Sequence, residues 1–134
     1  MSVIVTDAGF GPDDWTLPIV ALEDARDGVG INLASSVDPA ELAGRLPDIA
    51  LIRVNFPTSA DGRGFSIARQ LRLMGYDGRL RAQGHILADQ YAMARRCGFD
   101  EVEIDEALAA RQPEDQWLFR ADWRAHDYQS RLRG

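Results

Sequence analysis

Apolar residues along this chain recur in short strand-like runs that are separated by segments with helical character. The runs that predict strands are rich in Val, Ile and Leu and lie at 29–34, 49–56, 79–83 and 101–104. The segments that predict helices lie at 38–46, 65–74, 86–97, 106–111 and 114–121. Strands that alternate with helices of this length indicate an α/β fold with a parallel sheet.

Capping residues mark where several of these helices begin and end. Asp38, Pro39 and Glu41 form the sequence signature of a capping box with proline at the first helical position. Gly75 and Gly98 follow the helices predicted at 65–74 and 86–97, where glycine is a common C-terminal stop.

The pattern predicts one α/β domain over 1–134, with a short N-terminal β appendage at 1–28, a βα core at 29–112, and a C-terminal helix and tail at 113–134. Its sheet is expected to be four-stranded and mostly parallel, either resembling half of a (β/α)8 barrel or forming a small doubly wound sheet. Pro18 indicates an edge position for any strand in the appendage. A half-barrel would leave an open edge, which favours a homodimer.

Composition narrows the classes of function. The net charge of -6 disfavours nonspecific binding to nucleic acid or to an anionic membrane. The N-terminus lacks the features of a signal peptide, and no apolar run reaches the length of a membrane span, so a cytoplasmic protein is expected.

Several kinds of cofactor chemistry lack their sequence motifs. All 15 basic residues are arginine, which excludes a Schiff-base lysine and the lysine of a phosphate-binding P-loop. A single cysteine, Cys97, and two distant histidines predict no metal site and no disulfide. The dinucleotide-binding glycine pattern is also missing, so no cofactor is evident from the sequence.

Polar residues interrupt three strands that should be almost entirely apolar in a parallel sheet. Those that alternate onto a single face of their strands are Arg53 and Asn55, then Arg81 and Gln83, then Glu103 and Asp105. If these faces point the same way, the side chains converge across neighbouring strands. Two interpretations stay open: a binding site, or a buried ion network in which Arg53, Arg81 and Glu103 neutralise one another.

The first glycine turn is a candidate anion site. Asp61, Gly62, Arg63 and Gly64 lie between a predicted strand and a predicted helix, where such folds bind ligands. Backbone N–H groups at the helix start and the guanidinium of Arg63 suit an oxyanion or a phosphorylated metabolite. An ion pair between Arg63 and Asp61 at the surface is the alternative.

The second glycine turn adds further candidates. Gly84 and His85 precede a predicted helix, and the imidazole of His85 suits acid–base chemistry near neutral pH or a simple exposed cap. Asp89 lies in the first turn of that helix, where the dipole favours a carboxylate. Gln90 lies on its apolar face and is expected to hydrogen-bond toward the core.

Several motifs, in this order, resemble a known family of small bacterial proteins of unknown function, the DUF934 type, described as probable oxidoreductases involved in sulfite reduction. The resemblance extends from Gly30 to Gln129. It is densest in V-N-F-P at 54–57, D-G-R-G-F-S-I-A at 61–68, L-R-A-Q-G at 80–84, D-Q at 89–90 and R-C-G-F-D at 96–100.

The resemblance implies an accessory protein or oxidoreductase near assimilatory sulfite reduction, with sulfite reductase or a related sulfur-assimilation enzyme as its partner. The positions that match the family most strongly are Asp61, Gly62, Arg63, Gly64, Arg81, Gly84, Asp89, Gln90 and Cys97. His85 stands where the family usually has an acidic residue. The alternatives from the residues themselves are an enzyme or binding protein for an oxyanion at 61–64, and a structural homodimer without catalysis.

Overall fold

The computed structural model describes residues 2–123, and a seven-stranded sheet is its central element. The strands are β1 (Ser2–Thr6), β2 (Gly9–Gly11), β3 (Ile19–Ala21), β4 (Gly30–Leu33), β5 (Leu51–Phe56), β6 (Arg79–Gly84) and β7 (Glu101–Asp105). The α-helices are α1 (Arg63–Leu73), α2 (Tyr91–Cys97), α3 (Glu106–Arg111) and α4 (Glu114–Leu118). The strand order is β2-β1-β7-β6-β5-β4-β3. The tail expected beyond residue 123 lies outside the described residues.

The expected count of four strands is wrong, because the N-terminal segment joins the same sheet at both edges. The four expected strands form its centre as β4–β7. β1 pairs antiparallel with β7, β2 extends that edge, and β3 pairs in parallel with β4. A four-stranded sheet would leave two long edges with unpaired backbone groups, and the short N-terminal strands cover them.

The parallel strands β3–β7 follow chain order across the sheet. Within residues 2–123 this order never reverses, whereas a doubly wound sheet requires such a reversal. The protein therefore has a mixed α/β fold with a mostly parallel sheet. Its resemblance to half of a (β/α)8 barrel stays a prediction.

One face of the sheet carries the hydrophobic core. Strand residues of this face pack with residues from all four α-helices in a single buried cluster that includes Val5, Ile31, Ile52, Val54, Phe56, Leu80, Val102, Ile104, Ile67, Leu71, Tyr91, Leu108 and Trp117. Side chains alternate along each strand, so the other face displays the polar residues of β5–β7. The polar strand residues predicted as candidates therefore lie on the face opposite the main core. None of the helices in residues 2–123 combines the length and apolarity needed to cross a membrane.

The helix expected at 38–46 is replaced by two short 3-10 helices, Pro39–Leu42 and Leu46–Asp48. Asp38 caps the first of them as predicted, because its carboxylate accepts a backbone N–H. The segment cannot continue as one helix because Gly44 adopts a φ of 82°. The helix expected at 86–97 is also shorter and becomes α-helical only from Tyr91.

Gly64 at the start of α1 provides a sharp test of packing. An added Cβ there would collide with the ring of Phe56, which is 2% exposed and is held between Phe65 and Phe99. We expect Gly64→Ala to lower the free energy of unfolding by about 1–3 kcal/mol in a urea titration, because the ring has no room to retreat.

Gly62 is the matched control in the same loop. It has a φ of -82°, and no atom lies within 4 Å of the position where its Cβ would be added. We therefore expect Gly62→Ala to change stability by no more than about 0.5 kcal/mol. Equal losses from the two substitutions would contradict this account of the contact between α1 and β5.

Candidate functional site

A cleft of about 240 Å³ opens at the carboxyl ends of β5, β6 and β7. Its lining residues are Ser2, Asn55, Phe56, Pro57, Gln83, Gly84, His85, Glu103, Ile104, Asp105, Leu108 and Arg111. Parallel α/β sheets bind ligands outside the carboxyl ends of their strands, and this cleft has that position.

Asn55 and Gln83 lie directly opposite each other on the paired strands β5 and β6, and Gln83 is opposite Glu103 on β7. Both amide side chains are half-buried, and neither makes a side-chain hydrogen bond within residues 2–123. Amides in this state present donors and acceptors that a ligand can use. The sequence placed these two residues on one face, and the structure brings them together.

His85 and Arg111 lie at the rim of the cleft, and both are exposed. His85 is positioned by its backbone, since its N–H donates to the carbonyl of Phe56 at 3.0 Å. Arg111 is the last residue of α3. Asp105 caps the start of this helix, because its carboxylate accepts the N–H of Leu108 at 2.7 Å. The rim thus offers a guanidinium and an imidazole to a bound molecule.

Glu103 lies on the wall of the cleft, and its charge is compensated from within the chain. The carboxylate accepts a hydrogen bond from Ser2 Oγ at 3.1 Å and pairs with Arg81 at 2.8 Å and Arg53 at 3.3 Å. Arg53 also donates to Asn32 Oδ1 at 3.0 Å. The structure therefore brings together the three charged residues of the expected ion network.

Arg81 is the centre of that network and has no exposed side-chain surface. Its guanidinium donates to Glu101, Glu103 and Asp13. Burial opposes its charge, yet the hydrogen bonds and charges of these three carboxylates raise the pKa of Arg81 above its ordinary value. Arg81 is thus a buried ion-network residue, and it lies deeper than the amides of Asn55 and Gln83.

The loop at 61–64 has a different geometry. Two hydrogen bonds join Arg63 to the carboxylate of Asp61, at 2.9 and 2.8 Å, and Ser35 contacts both side chains. Asp61 also accepts the backbone N–H of Arg63, and these bonds hold the pKa of Asp61 well below its usual range. The carboxylate of Asp61 therefore occupies the position at the helix start that the anion prediction gives to a ligand.

The remaining candidates lie apart from the cleft. Gln90 bridges two loops, because its Oε1 accepts the N–H of Leu87 and its Nε2 donates to the carbonyl of Ser59, both at 2.8 Å. Asp89 is exposed and borders a separate depression near Phe119. Cys97 is half-buried, and burial raises the pKa of its thiol.

Sequence reasoning missed Arg111, Ser2 and the pair Asp13 and Asp14. Arg111 ends the helix that follows β7, the last strand. Its position close to the carboxyl end of that strand could have marked it as a candidate in the sequence. The contacts of Asp13 and Asp14 join residues 68 and 65 positions apart, and local patterns carry no information on such pairs.

A family model described as "Bacterial protein of unknown function (DUF934)" matches residues 30–134. No curated protein matches the sequence significantly. The match covers most of the chain, which therefore belongs to this family. Family membership is confirmed, and the link to sulfite reduction stays a prediction.

Proposed function

We propose that this chain, as a member of the DUF934 family, binds a small oxyanion in the cleft at the ends of β5–β7 and serves assimilatory sulfite reduction as an accessory protein. One observation carries the proposal. Asn55, Gln83, His85 and Arg111 all line this cleft, and none of their side chains makes a hydrogen bond or an ion pair within residues 2–123.

The chemistry of the cleft suits a small oxyanion. The guanidinium of Arg111 provides a planar fork for two oxygen atoms, and the amides of Asn55 and Gln83 supply further N–H donors. The negative charge of Glu103 is offset by its two arginine partners, so it repels an anion less than a free carboxylate would. A volume of about 240 Å³ accommodates sulfite, sulfate or a small metabolite that carries such a group.

The link to sulfite reduction is part of the proposal and rests on the family resemblance. Sulfite is itself an oxyanion, so a cleft with these donors is compatible with holding the substrate or product of that pathway. In this role the electrons come from a partner such as sulfite reductase, and the chain contributes binding and orientation. A stable complex with sulfite reductase at micromolar concentration is the result that supports the partnership.

Two alternatives stay as proposals of lower rank. Binding of an oxyanion or phosphorylated metabolite at 61–64 is favoured by the helix start and by Arg63. The carboxylate of Asp61, however, already accepts hydrogen bonds from the backbone N–H and the guanidinium of Arg63. A structural homodimer would have to pair through the short edge strands β2 and β3, and sedimentation at a monomeric mass would remove it.

A comparison of two arginine variants separates the cleft from the loop. We expect sulfite or sulfate to raise the thermal midpoint, since a ligand at 100 times its dissociation constant stabilises a protein by about 2.7 kcal/mol. Arg111→Ala should abolish this shift because it removes the guanidinium fork from the cleft rim. Arg63→Ala, at the same edge of the sheet, should preserve it.

The reverse pattern, loss with Arg63→Ala and retention with Arg111→Ala, would move the site to the loop at 61–64. The absence of any shift with sulfite, sulfate and phosphate would overturn oxyanion binding in the cleft. Flavins and nicotinamides belong in the same screen, because a rise in the thermal midpoint with one of them would favour the hypothesis that the protein is an oxidoreductase.

A further inference from the structure

Residues 12–18, here called the strap, cross the polar face of the sheet. They connect β2 and β3, which lie at opposite edges of the seven-stranded sheet. The strap is joined to the strands below by side chains of Asp13 and Asp14, and the carbonyl of Pro18 accepts the N–H of Gly30 at its far end. Carboxylates are thus its main polar attachment to the sheet.

Asp13 binds Arg81 as a carboxylate ligand would. Its two oxygen atoms accept hydrogen bonds from the two terminal nitrogens of Arg81, at 3.1 and 3.2 Å. Such a paired arrangement is the usual way in which arginine recognises a carboxylate or another oxyanion. The side chain of Asp13 is 34% exposed, whereas Arg81 is completely buried beneath it.

The charges below the strap favour an anion above them. Arg53, Arg79 and Arg81 are paired with only two strand carboxylates, those of Glu101 and Glu103, which leaves one net positive charge. The strap adds the two carboxylates of Asp13 and Asp14, which more than offset this charge and leave the closed network with one net negative charge. A strap that lifts away would therefore expose a positively charged and poorly solvated surface.

Two further features favour opening of the strap. The indole Nε1 of Trp15 is buried without a hydrogen-bond partner in the described part of the chain, which is unfavourable for the closed form. A cavity of about 320 Å³ lies beside the strap and is bordered by Gly11, Pro12, Asp14 and Arg79. An incoming anion thus has space next to the guanidinium of Arg79.

We propose that Arg79 and Arg81 form a second anion site, which takes a small carboxylate or oxyanion, and that Asp13 occupies it in the free protein as an internal substitute for that ligand. The strap then competes with the ligand. The observed affinity equals the affinity of the open form multiplied by the fraction of molecules in which the strap is open. The site uses neither Arg111 nor the amides of the cleft, so it does not depend on the function proposed above.

The test measures binding of sulfate and of malonate by calorimetry to the full chain. Asp13→Asn combined with Asp14→Asn should bind at least one of these anions about tenfold more tightly than the unaltered protein, because the competing charges are gone. Glu23→Gln combined with Asp24→Asn is the matched control. It removes two exposed acidic charges from the short 3-10 helix Leu22–Asp24, outside the network, and should leave affinity unchanged.

Two further variants place the gained binding. Adding Arg79→Met to the strap variant should remove the gain, since Arg79 borders the cavity. Adding Arg111→Ala should preserve it, which separates this site from the cleft. No gain in the strap variant, an equal gain in the Glu23 and Asp24 control, or loss of the gain with Arg111→Ala would each overturn the proposal.

A measurement on the unaltered chain complements these variants. Because a ligand displaces Asp13, saturating malonate or sulfate should speed hydrogen exchange of backbone amides in the strap, including the N–H of Trp15 that now donates to Asp13. Ligand binding that slows exchange across the strap would mean that the strap closes over the anion, which contradicts displacement.

Discussion

Replacing Arg81 with methionine is expected to lower the free energy of unfolding by about 3–5 kcal/mol, the usual cost of removing one partner from a buried ion pair. The side chain has no exposed surface, and its guanidinium donates to Glu101, Glu103 and Asp13. Methionine fills similar space but provides no donor. Glu101 and Glu103, which are 5% and 6% exposed, would then keep only Arg79 and Arg53 as arginine partners.

Arg53→Met is the matched control for this loss. Arg53 also pairs with Glu103, but 23% of its side chain is exposed, so solvent replaces part of the lost interaction. We expect it to cost about 1 kcal/mol in the same urea titrations. Glu101→Gln in the Arg81→Met background should recover part of the stability, because it removes a buried negative charge that has lost its pairing with Arg81. Equal effects of Arg53→Met and Arg81→Met would contradict a buried centre at Arg81.

The polar face was predictable because alternation in β5–β7 is simple to interpret. In the observed register, Arg53 lies opposite Arg81, and Gln83 lies opposite Glu103. The ion-network interpretation describes the deeper residues, and the binding-site interpretation stays a proposal for the residues nearer the carboxyl edge. The charged residues form an ion network, while Asn55 and Gln83, one step nearer the carboxyl edge, face the cleft.

The edges of the sheet and the strap were not predictable to the same degree. β2 and β3 have three residues each, which is too short for a periodic pattern to emerge. Asp13 reaches Arg81 across 68 positions, and only the path of the chain over the sheet brings them together. The loop at 61–64 shows the converse limit, since its residue types suit an anion but Asp61 satisfies them internally.

Gly84→Ala is expected to be the most damaging small substitution near the cleft, with a loss of about 2–5 kcal/mol in the free energy of unfolding. Gly84 has a φ of 119°, which side chains rarely adopt. Its added Cβ would also lie 2.5 Å from the carbonyl oxygen of Phe56 on β5. That oxygen belongs to backbone and accepts the N–H of His85, so it cannot move without disturbing the turn.

Gly75→Ala separates the two causes, because Gly75 has a φ of 101° but no atom within 4 Å of its added Cβ. We expect a loss of about 1–3 kcal/mol there, from the backbone conformation alone. The excess loss at Gly84 then measures the contact with Phe56. Relief of that contact must displace His85 or Asn55, so any Gly84→Ala protein that still folds should bind sulfite or sulfate more weakly than Gly75→Ala does. Equal stability losses would show that the turn after β6 yields freely, and unchanged anion affinity would show that this turn does not shape the cleft.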